Sequence, residues 1–95
     1  MKFDWDEGKR QWLLRDRNID FAGVLEIFDG RPCYTVASAR NLEDRFITVA
    51  KQNSKLFAVV WMWRGDAMWL ITARRAWKSE ERRYRVLQLE DRDNG

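Results

Sequence analysis

The sequence predicts an α+β domain in which two N-terminal helices and one C-terminal helix pack on an antiparallel sheet of about four to five strands. Apolar residues recur at helical spacing only near the two ends of the chain, and apolar strand-like runs fill the middle. Helices gathered against such strands are typical of α+β domains. The 95 residues are predicted to form one domain over residues 1–89, followed by a short flexible tail over residues 90–95.

The N-terminal third carries one strand signal and two helix signals. Residues 3–5 alternate apolar and polar side chains, which is typical of a short strand. Asp6 is predicted to cap a helix that runs to about Arg17, and Asn18 can adopt the left-handed conformation that ends it. Asp20 then begins a second helix, and the Asp-Gly-Arg-Pro sequence after it stops that helix.

The middle of the chain carries the strand predictions. Strands are expected over residues 34–36, 45–49, 56–64 and 67–72, and Gly-Asp between the last two predicts a two-residue hairpin turn. The register of this hairpin pairs Arg64 with Ala67, Trp63 with Met68, Met62 with Trp69, Trp61 with Leu70, and Val60 with Ile71.

The charge distribution indicates a site for a polyanion. The net charge is only +3, but residues 74–85 carry six Lys and Arg residues against two Glu residues. Ser79 is predicted to cap a last helix over this segment, which ends at about Leu87. A solvated helix face is the alternative explanation for such a run of charge.

Composition excludes several kinds of chemistry. Histidine is absent, which removes the commonest general base and metal ligand, and the chain has no phosphate-binding loop. Cys33 is the only cysteine, so no internal disulfide forms, as is typical of a reducing cytosol. No apolar run is long enough to span a membrane. We therefore predict a cytoplasmic protein without a metal or another cofactor.

The residues near the end of the hairpin suit metal-free cleavage of a phosphodiester. This reaction needs a base for the attacking 2′-hydroxyl, cations for the phosphorane and a donor for the leaving oxygen. Glu80 is a candidate base if it converges with Arg64 and Arg74 on one phosphate. Tyr84 or an arginine can assist the leaving group, and Trp77 can stack on a base. Ordinary roles remain open for each residue: an ion pair for Glu80, core packing for Tyr84, a helix-start contact for Trp77 and a solubilising edge position for Arg64.

The order of elements and several short motifs resemble the BrnT family, the toxin half of a bacterial type II toxin-antitoxin pair with a RelE-like ribonuclease fold. The similarity extends from Phe3 to Tyr84 and depends on the order and spacing of motifs. Its clearest segments are Phe3-Asp4-Trp5-Asp6, Ile19-Asp20-Phe21, and Ile71-Thr72-Ala73-Arg74-Arg75-Ala76 with Glu80 and Tyr84, which resembles I-S-A-R-K-A…E…Y in the family.

The resemblance implies a metal-independent ribonuclease that arrests growth. It also implies a BrnA-like ribbon-helix-helix antitoxin that covers the toxin and represses the shared promoter, so that operator DNA is bound only through the complex. We therefore predict two sets of site residues. The catalytic set is Arg64, Arg74, Glu80 and Tyr84, and the RNA-binding set is Arg75, Trp77, Lys78, Arg45 and Lys9.

One segment departs from the family. Members usually carry K-H-G between the first two helices, where this chain has Asp16, Arg17 and Asn18. Arg17 keeps a cation but cannot transfer protons near neutral pH as histidine can. The alternative function is therefore a catalytically weak or inactive toxin homologue that binds the antitoxin and helps it repress transcription. A nucleic-acid-binding domain unrelated to toxins is a third hypothesis.

Overall fold

The structure is a computed structural model that describes residues 2–38 and 44–94. Met1, residues 39–43 and Gly95, which the predicted domain boundaries include, lie outside the described residues. In the described part, no helix is both long enough and apolar enough to cross a membrane. The elements in chain order are β1 Lys2–Trp5, α1 Glu7–Arg17, α2 Phe21–Val24, a 3-10 helix Leu25–Phe28, β2 Cys33–Ser38, β3 Arg45–Gln52, β4 Lys55–Arg64, β5 Ala67–Arg75 and α3 Lys78–Asn94.

The predicted α+β class is confirmed, but the sheet is mixed rather than antiparallel throughout. Its five strands lie in the order β1-β5-β4-β3-β2. Strands β2 to β5 pair antiparallel with their neighbours, whereas β1 pairs in parallel with β5. A parallel pair needs a long crossover, which the helices and strands between β1 and β5 supply. No local pattern in the N-terminal residues specifies this distant partner, so the prediction missed it.

The predicted caps of the N-terminal helices are confirmed. Asp6 accepts a hydrogen bond from the Lys9 N–H at 2.9 Å, and Asn18 ends α1 with a φ of 56°. Asp20 accepts from the Ala22 N–H at 3.1 Å and so caps α2. The second helix is shorter than predicted, because its α-helical part ends after one turn and continues as the 3-10 helix. Such tighter turns are common at helix ends.

The C-terminal helix begins earlier and ends later than predicted. It starts at Lys78, so Ser79 lies inside α3 and is not its cap. The Glu80 carboxylate instead accepts the Trp77 N–H at 2.8 Å, which is the backward contact of a capping box. Helical backbone continues to Asn94, through most of the segment predicted to be a tail. The flexibility of residues 90–95 stays a prediction.

The sheet carries helices on both faces. On the first face, α1, α2 and the 3-10 helix cover a core that includes Leu13 and Phe21, neither of which is exposed. On the second face, α3 packs Tyr84 against Val49 and Leu56. We call these the first face and the α3 face.

A β-bulge in β5 decides which side chains reach the α3 face. The predicted hairpin register is confirmed next to the turn, but Val60 pairs with Thr72 and not with Ile71 as predicted. Ile71 is therefore an extra residue, and both Ile71 and Thr72 line the α3 face. Strict alternation would place Trp69 and Arg74 on opposite faces, because they are separated by an odd number of residues. The bulge restores both of them to the α3 face.

Candidate active site

A groove of about 390 Å³ lies beside α3 on the α3 face. Apolar side chains such as Val60 and Ile71 form its floor, and Arg45, Arg74 and Trp77 contribute to its lining. Among the residues that the structure describes, no Asp or Glu lines it. An apolar, aromatic and cationic surface of this kind suits single-stranded nucleic acid, because bases stack while phosphates meet cations.

Arg74 and Trp77 form one end of the groove, and Glu80 binds Arg74 from outside the lining. Arg74 donates from Nη1 to Glu80 Oε1 at 2.6 Å and from Nη2 to Oε2 at 3.1 Å. The guanidinium carbon lies 3.6 Å from the centroid of the Trp77 ring. The two charged side chains are 17% and 13% exposed. A shielded bidentate pair of this geometry fixes the plane of the guanidinium.

The Glu80 carboxylate is better placed to orient Arg74 than to accept a proton directly. Burial raises the pKa of Glu80, but hydrogen bonds from Arg74 and from the Trp77 N–H outweigh it and hold the pKa below the ordinary value of 4.5. A lowered pKa makes the carboxylate a weaker base. The alternative reading of Glu80 as an ion-pair partner is therefore confirmed, and its role as a base stays a prediction that requires Arg74 to release it.

The lowered pKa gives the Arg74–Glu80 pair a defined dependence on pH. Its contribution to the free energy of unfolding should be complete above about pH 4.5 and be lost as the pH falls through the folded-state pKa of Glu80. We expect Glu80→Gln to be less stable than wild type at neutral pH, and the difference to shrink in acid. The free energy of unfolding in urea, measured at neutral pH and in acid, tests this. Glu81→Gln, at the adjacent position, is the control. A difference that does not change with pH would contradict the assignment.

Arg64 lies at the other end of the α3 face. It pairs with Ala67 beside the hairpin turn, and its guanidinium carbon lies 3.8 Å from the centroid of the Trp69 ring. Arg74 pairs with Ala58, which precedes Arg64 on β4 by six residues. At roughly 3.3 Å per residue, the two arginine backbones are about 20 Å apart. Arg64 and Arg74 therefore do not converge on one phosphate, as the predicted catalytic set required.

Tyr84 also lies outside the groove. It is 8% exposed and packs in the core between α3 and the sheet, which is the ordinary role that the sequence left open. Its predicted catalytic role has no support from this position. Of the predicted RNA-binding residues, Arg45 and Trp77 line the groove, and Lys78 is exposed at the first residue of α3.

Arg75 and Lys9 point away from the groove. The Arg75 guanidinium lies 5.7 Å from the centroid of Phe57, a residue that packs on the first face. Arg74 and Arg75 thus reach opposite faces, as expected for neighbours on a strand. The Lys9 ammonium lies 4.6 Å from the Trp12 ring, and both belong to α1.

Tyr34 supports the site and was not recognised from the sequence. Its hydroxyl donates to the backbone carbonyl of Glu80 at 3.3 Å, across 46 residues of sequence. Burial and the nearby charge of Glu80 raise the pKa of this hydroxyl. Its ring also lies 5.3 Å from the Arg83 guanidinium carbon. Position 34 carries only a strand signal, so nothing local indicates a contact with α3.

Arg17, the last residue of α1, contacts the strand that carries Arg74. It donates to the carbonyl of Ala73 at 3.3 Å, and its guanidinium carbon lies 5.1 Å from the Trp12 ring. Since Ala73 directly precedes Arg74, this hydrogen bond joins α1 to the end of β5 beside Arg74. The end of α1 therefore has a structural contact one residue from the groove.

Comparison with known proteins identifies the family of the chain. No curated protein matches the chain significantly. The sequence model of a family described as "Ribonuclease toxin, BrnT, of type II toxin-antitoxin system" matches residues 5–80. The matched range contains Arg64, Arg74 and Glu80, and a type II toxin-antitoxin family implies an antitoxin partner. The chain belongs to the BrnT family of ribonuclease toxins.

Proposed function

We propose that this protein is an endoribonuclease toxin that cleaves RNA without a metal at the Trp77 end of the groove. The observation that carries the proposal is the arginine at that end, which is fixed by a bidentate carboxylate and stacked on an indole. A guanidinium in fixed orientation is suited to the charge that develops on a pentacovalent phosphate. Trp77, which is 53% exposed, is available to hold the neighbouring base.

The Arg74–Glu80 pair suggests how substrate binding starts the reaction. A phosphate matches the guanidinium fork as a carboxylate does, so RNA competes with Glu80 for the same donors. Release from Arg74 frees Glu80 to accept the proton of the 2′-hydroxyl, while the Trp77 ring still orients the guanidinium. The 2′-oxygen then bonds to phosphorus, the bond to the 5′-oxygen breaks, and that oxygen takes a proton from water. The hydroxide that remains takes the proton from Glu80 and restores the carboxylate. The products are a 2′,3′-cyclic phosphate and a 5′-hydroxyl.

Cleavage of single-stranded RNA by purified, antitoxin-free protein in the presence of EDTA tests this proposal. We expect Glu80→Gln to lower the rate by roughly a hundredfold or more, because the general base is lost. Asp29→Asn is the matched control, since Asp29 makes a similar carboxylate–guanidinium pair with Arg31 at 2.8 Å but does not line the groove. Cleavage that requires an added metal, or equal losses in both variants, would reject the proposal.

The toxin is further proposed to act in the cytoplasm, where it arrests growth until a BrnA-like ribbon-helix-helix antitoxin covers it. Family membership supports an antitoxin, and the ribbon-helix-helix type rests on the motif resemblance. Operator DNA is bound only through the complex in this proposal. Growth arrest on expression of the toxin alone, relieved by co-expression of the neighbouring gene, is the expected result. A neighbour that neither binds nor neutralises the toxin would contradict it.

A second candidate function is an inactive toxin that serves as a co-repressor module. Two observations favour it. By the motif resemblance, Asp16, Arg17 and Asn18 stand in place of the K-H-G segment of the family, and Arg17 donates to the backbone carbonyl of Ala73. Both carboxylate oxygens of Glu80 also accept hydrogen bonds from Arg74. Absence of RNA cleavage, together with tighter operator binding by the antitoxin when this protein is added, would favour this function over the nuclease.

A further inference from the structure

Arginine–indole stacks lie at both ends of the α3 face, and only one of them belongs to the site proposed above. The guanidinium-to-ring distances are 3.8 Å for Arg64 on Trp69 and 3.6 Å for Arg74 on Trp77. Other cation–ring contacts among the described residues are longer, at 4.6–5.7 Å. Arg64 is exposed and Trp69 is half-buried. The outer plane of the Arg64 guanidinium therefore faces solvent while its inner plane rests on the indole.

The chemistry of the hairpin end matches that of a nucleotide-binding subsite. A guanidinium that is stacked on an aromatic ring offers a flat surface to a base and donors to a phosphate. The acid closest in sequence, Asp66, does not compete for Arg64, because it forms an ion pair with Lys2 at 3.0 Å. Since the indole holds only one face of the guanidinium, an unpaired base has direct access to the other.

The two stacks are aligned along a single path. The bulge at Ile71 places Trp69 and Arg74 on the same face, with the groove between them. Trp69 pairs with Met62 and Arg74 pairs with Ala58, four positions away on β4, which is about 13 Å at a rise of roughly 3.3 Å per residue. That length corresponds to about four nucleotides at a stacked spacing of roughly 3.4 Å. Arg45 also lines the groove, in the same cross-strand row as Trp69, because Arg45 pairs with Met62 and Met62 with Trp69.

We propose that Arg64 and Trp69 form a distal subsite that binds an unpaired nucleotide of the RNA, a few nucleotides from the phosphate held by Arg74. This inference rests on the proposed nuclease function and refines its substrate to single-stranded RNA that spans the whole groove. Arg64 is then a binding residue and takes no part in the bond-breaking step, which explains its separation from Arg74. Duplex RNA is not expected to bind at this subsite, because its bases are already stacked and paired and none is available to stack on Arg64.

The proposal is tested by comparing two substrates of the full-length protein, a trinucleotide that reaches only Arg74 and a longer single-stranded oligoribonucleotide that spans the groove. Trp69→Leu should lower the ratio of kcat/KM for the long substrate over the short one by about tenfold, the usual effect of one lost stacking contact. Arg64→Lys, which keeps the charge but not the plane, should lower it severalfold. Trp63→Leu is the control, since this tryptophan is 49% exposed beside the same turn but contacts Trp61 on the first face.

Binding of a 2′-O-methyl oligonucleotide separates failure of the subsite from failure of the nuclease, because this RNA binds but lacks the attacking hydroxyl. A tenfold loss of affinity in Trp69→Leu would support the subsite even if wild type cleaves nothing. Active wild type with unchanged ratios and affinities in both variants would overturn the subsite and leave the nuclease standing. Equal affinity for duplex RNA, or a loss of antitoxin binding with RNA affinity unchanged, would also overturn it.

Discussion

Arg74→Ala is expected to lower the rate of RNA cleavage by roughly a hundredfold to a thousandfold, the usual effect of removing one donor from a developing anion. The orientation of Arg74 at the groove is fixed by two hydrogen bonds to Glu80 and by a stack on Trp77. Its removal also leaves the Glu80 carboxylate largely shielded without its cation, so some loss of stability should accompany the loss of activity. Single-turnover cleavage of a labelled oligoribonucleotide in EDTA measures the first effect and urea unfolding the second.

Arg74→Lys separates charge from geometry in the same assay. Lysine keeps the positive charge but cannot make a planar bidentate contact, so we expect it to recover only a small part of the lost rate. The double variant Arg74→Ala with Glu80→Gln should be barely slower than Arg74→Ala, because residues that act as a unit are not additive. Full activity of Arg74→Lys, or additive losses in the double variant, would show that the two residues do not work together.

Phe21→Ala is expected to lower the free energy of unfolding by about 3–5 kcal/mol, through lost burial and the cavity left behind. Phe21 is completely buried in α2, and its ring centroid lies 6.0 Å from that of Trp5. Domains of this size are stable by only about 5–15 kcal/mol, so the change should remove much of the native population near physiological temperature. Urea denaturation followed by tryptophan fluorescence measures the effect.

Two control variants show whether the loss of stability in Phe21→Ala comes from lost buried volume. Phe21→Leu keeps most of the buried volume and should cost clearly less. Leu14→Ala removes a side chain that is 45% exposed on α1 and should have a small effect. A loss from Phe21→Ala no larger than that from Leu14→Ala would mean that α2 is not part of the cooperative core.

Local signals account for what the sequence predicted correctly. Helix ends depend on local contacts, so the neighbouring sequence alone reveals them. The Asp6 and Asp20 side chains bind N–H groups two or three positions away, and Asn18 ends α1 through its own backbone conformation. The Gly65-Asp66 turn set the hairpin register as far as Trp61 for the same reason. The Arg74–Glu80 pair was also within reach, because only six residues separate its members.

Contacts between distant parts of the chain account for what the sequence missed. The parallel pairing of β1 with β5 and the bond from Tyr34 to the Glu80 carbonyl depend on the complete topology. The distance between Arg64 and Arg74 follows from the length of β4 between Ala58 and Arg64. The predicted single phosphate site did not take this length into account. Glu80 looked like a free base because its capping contact to Trp77 becomes visible only when the start of α3 is known.

The extra residue in β5 has a consequence for comparing this protein with its relatives. Deleting Ile71 would shorten the strand by one position, yet every side chain on either side of it would keep its present face. Deletion of a single residue is therefore expected to be tolerated at this point and to be harmful elsewhere in the strand, where it would exchange Arg74 for Arg75 at the groove. Alignments of homologous toxins should accordingly show their one-residue gaps here.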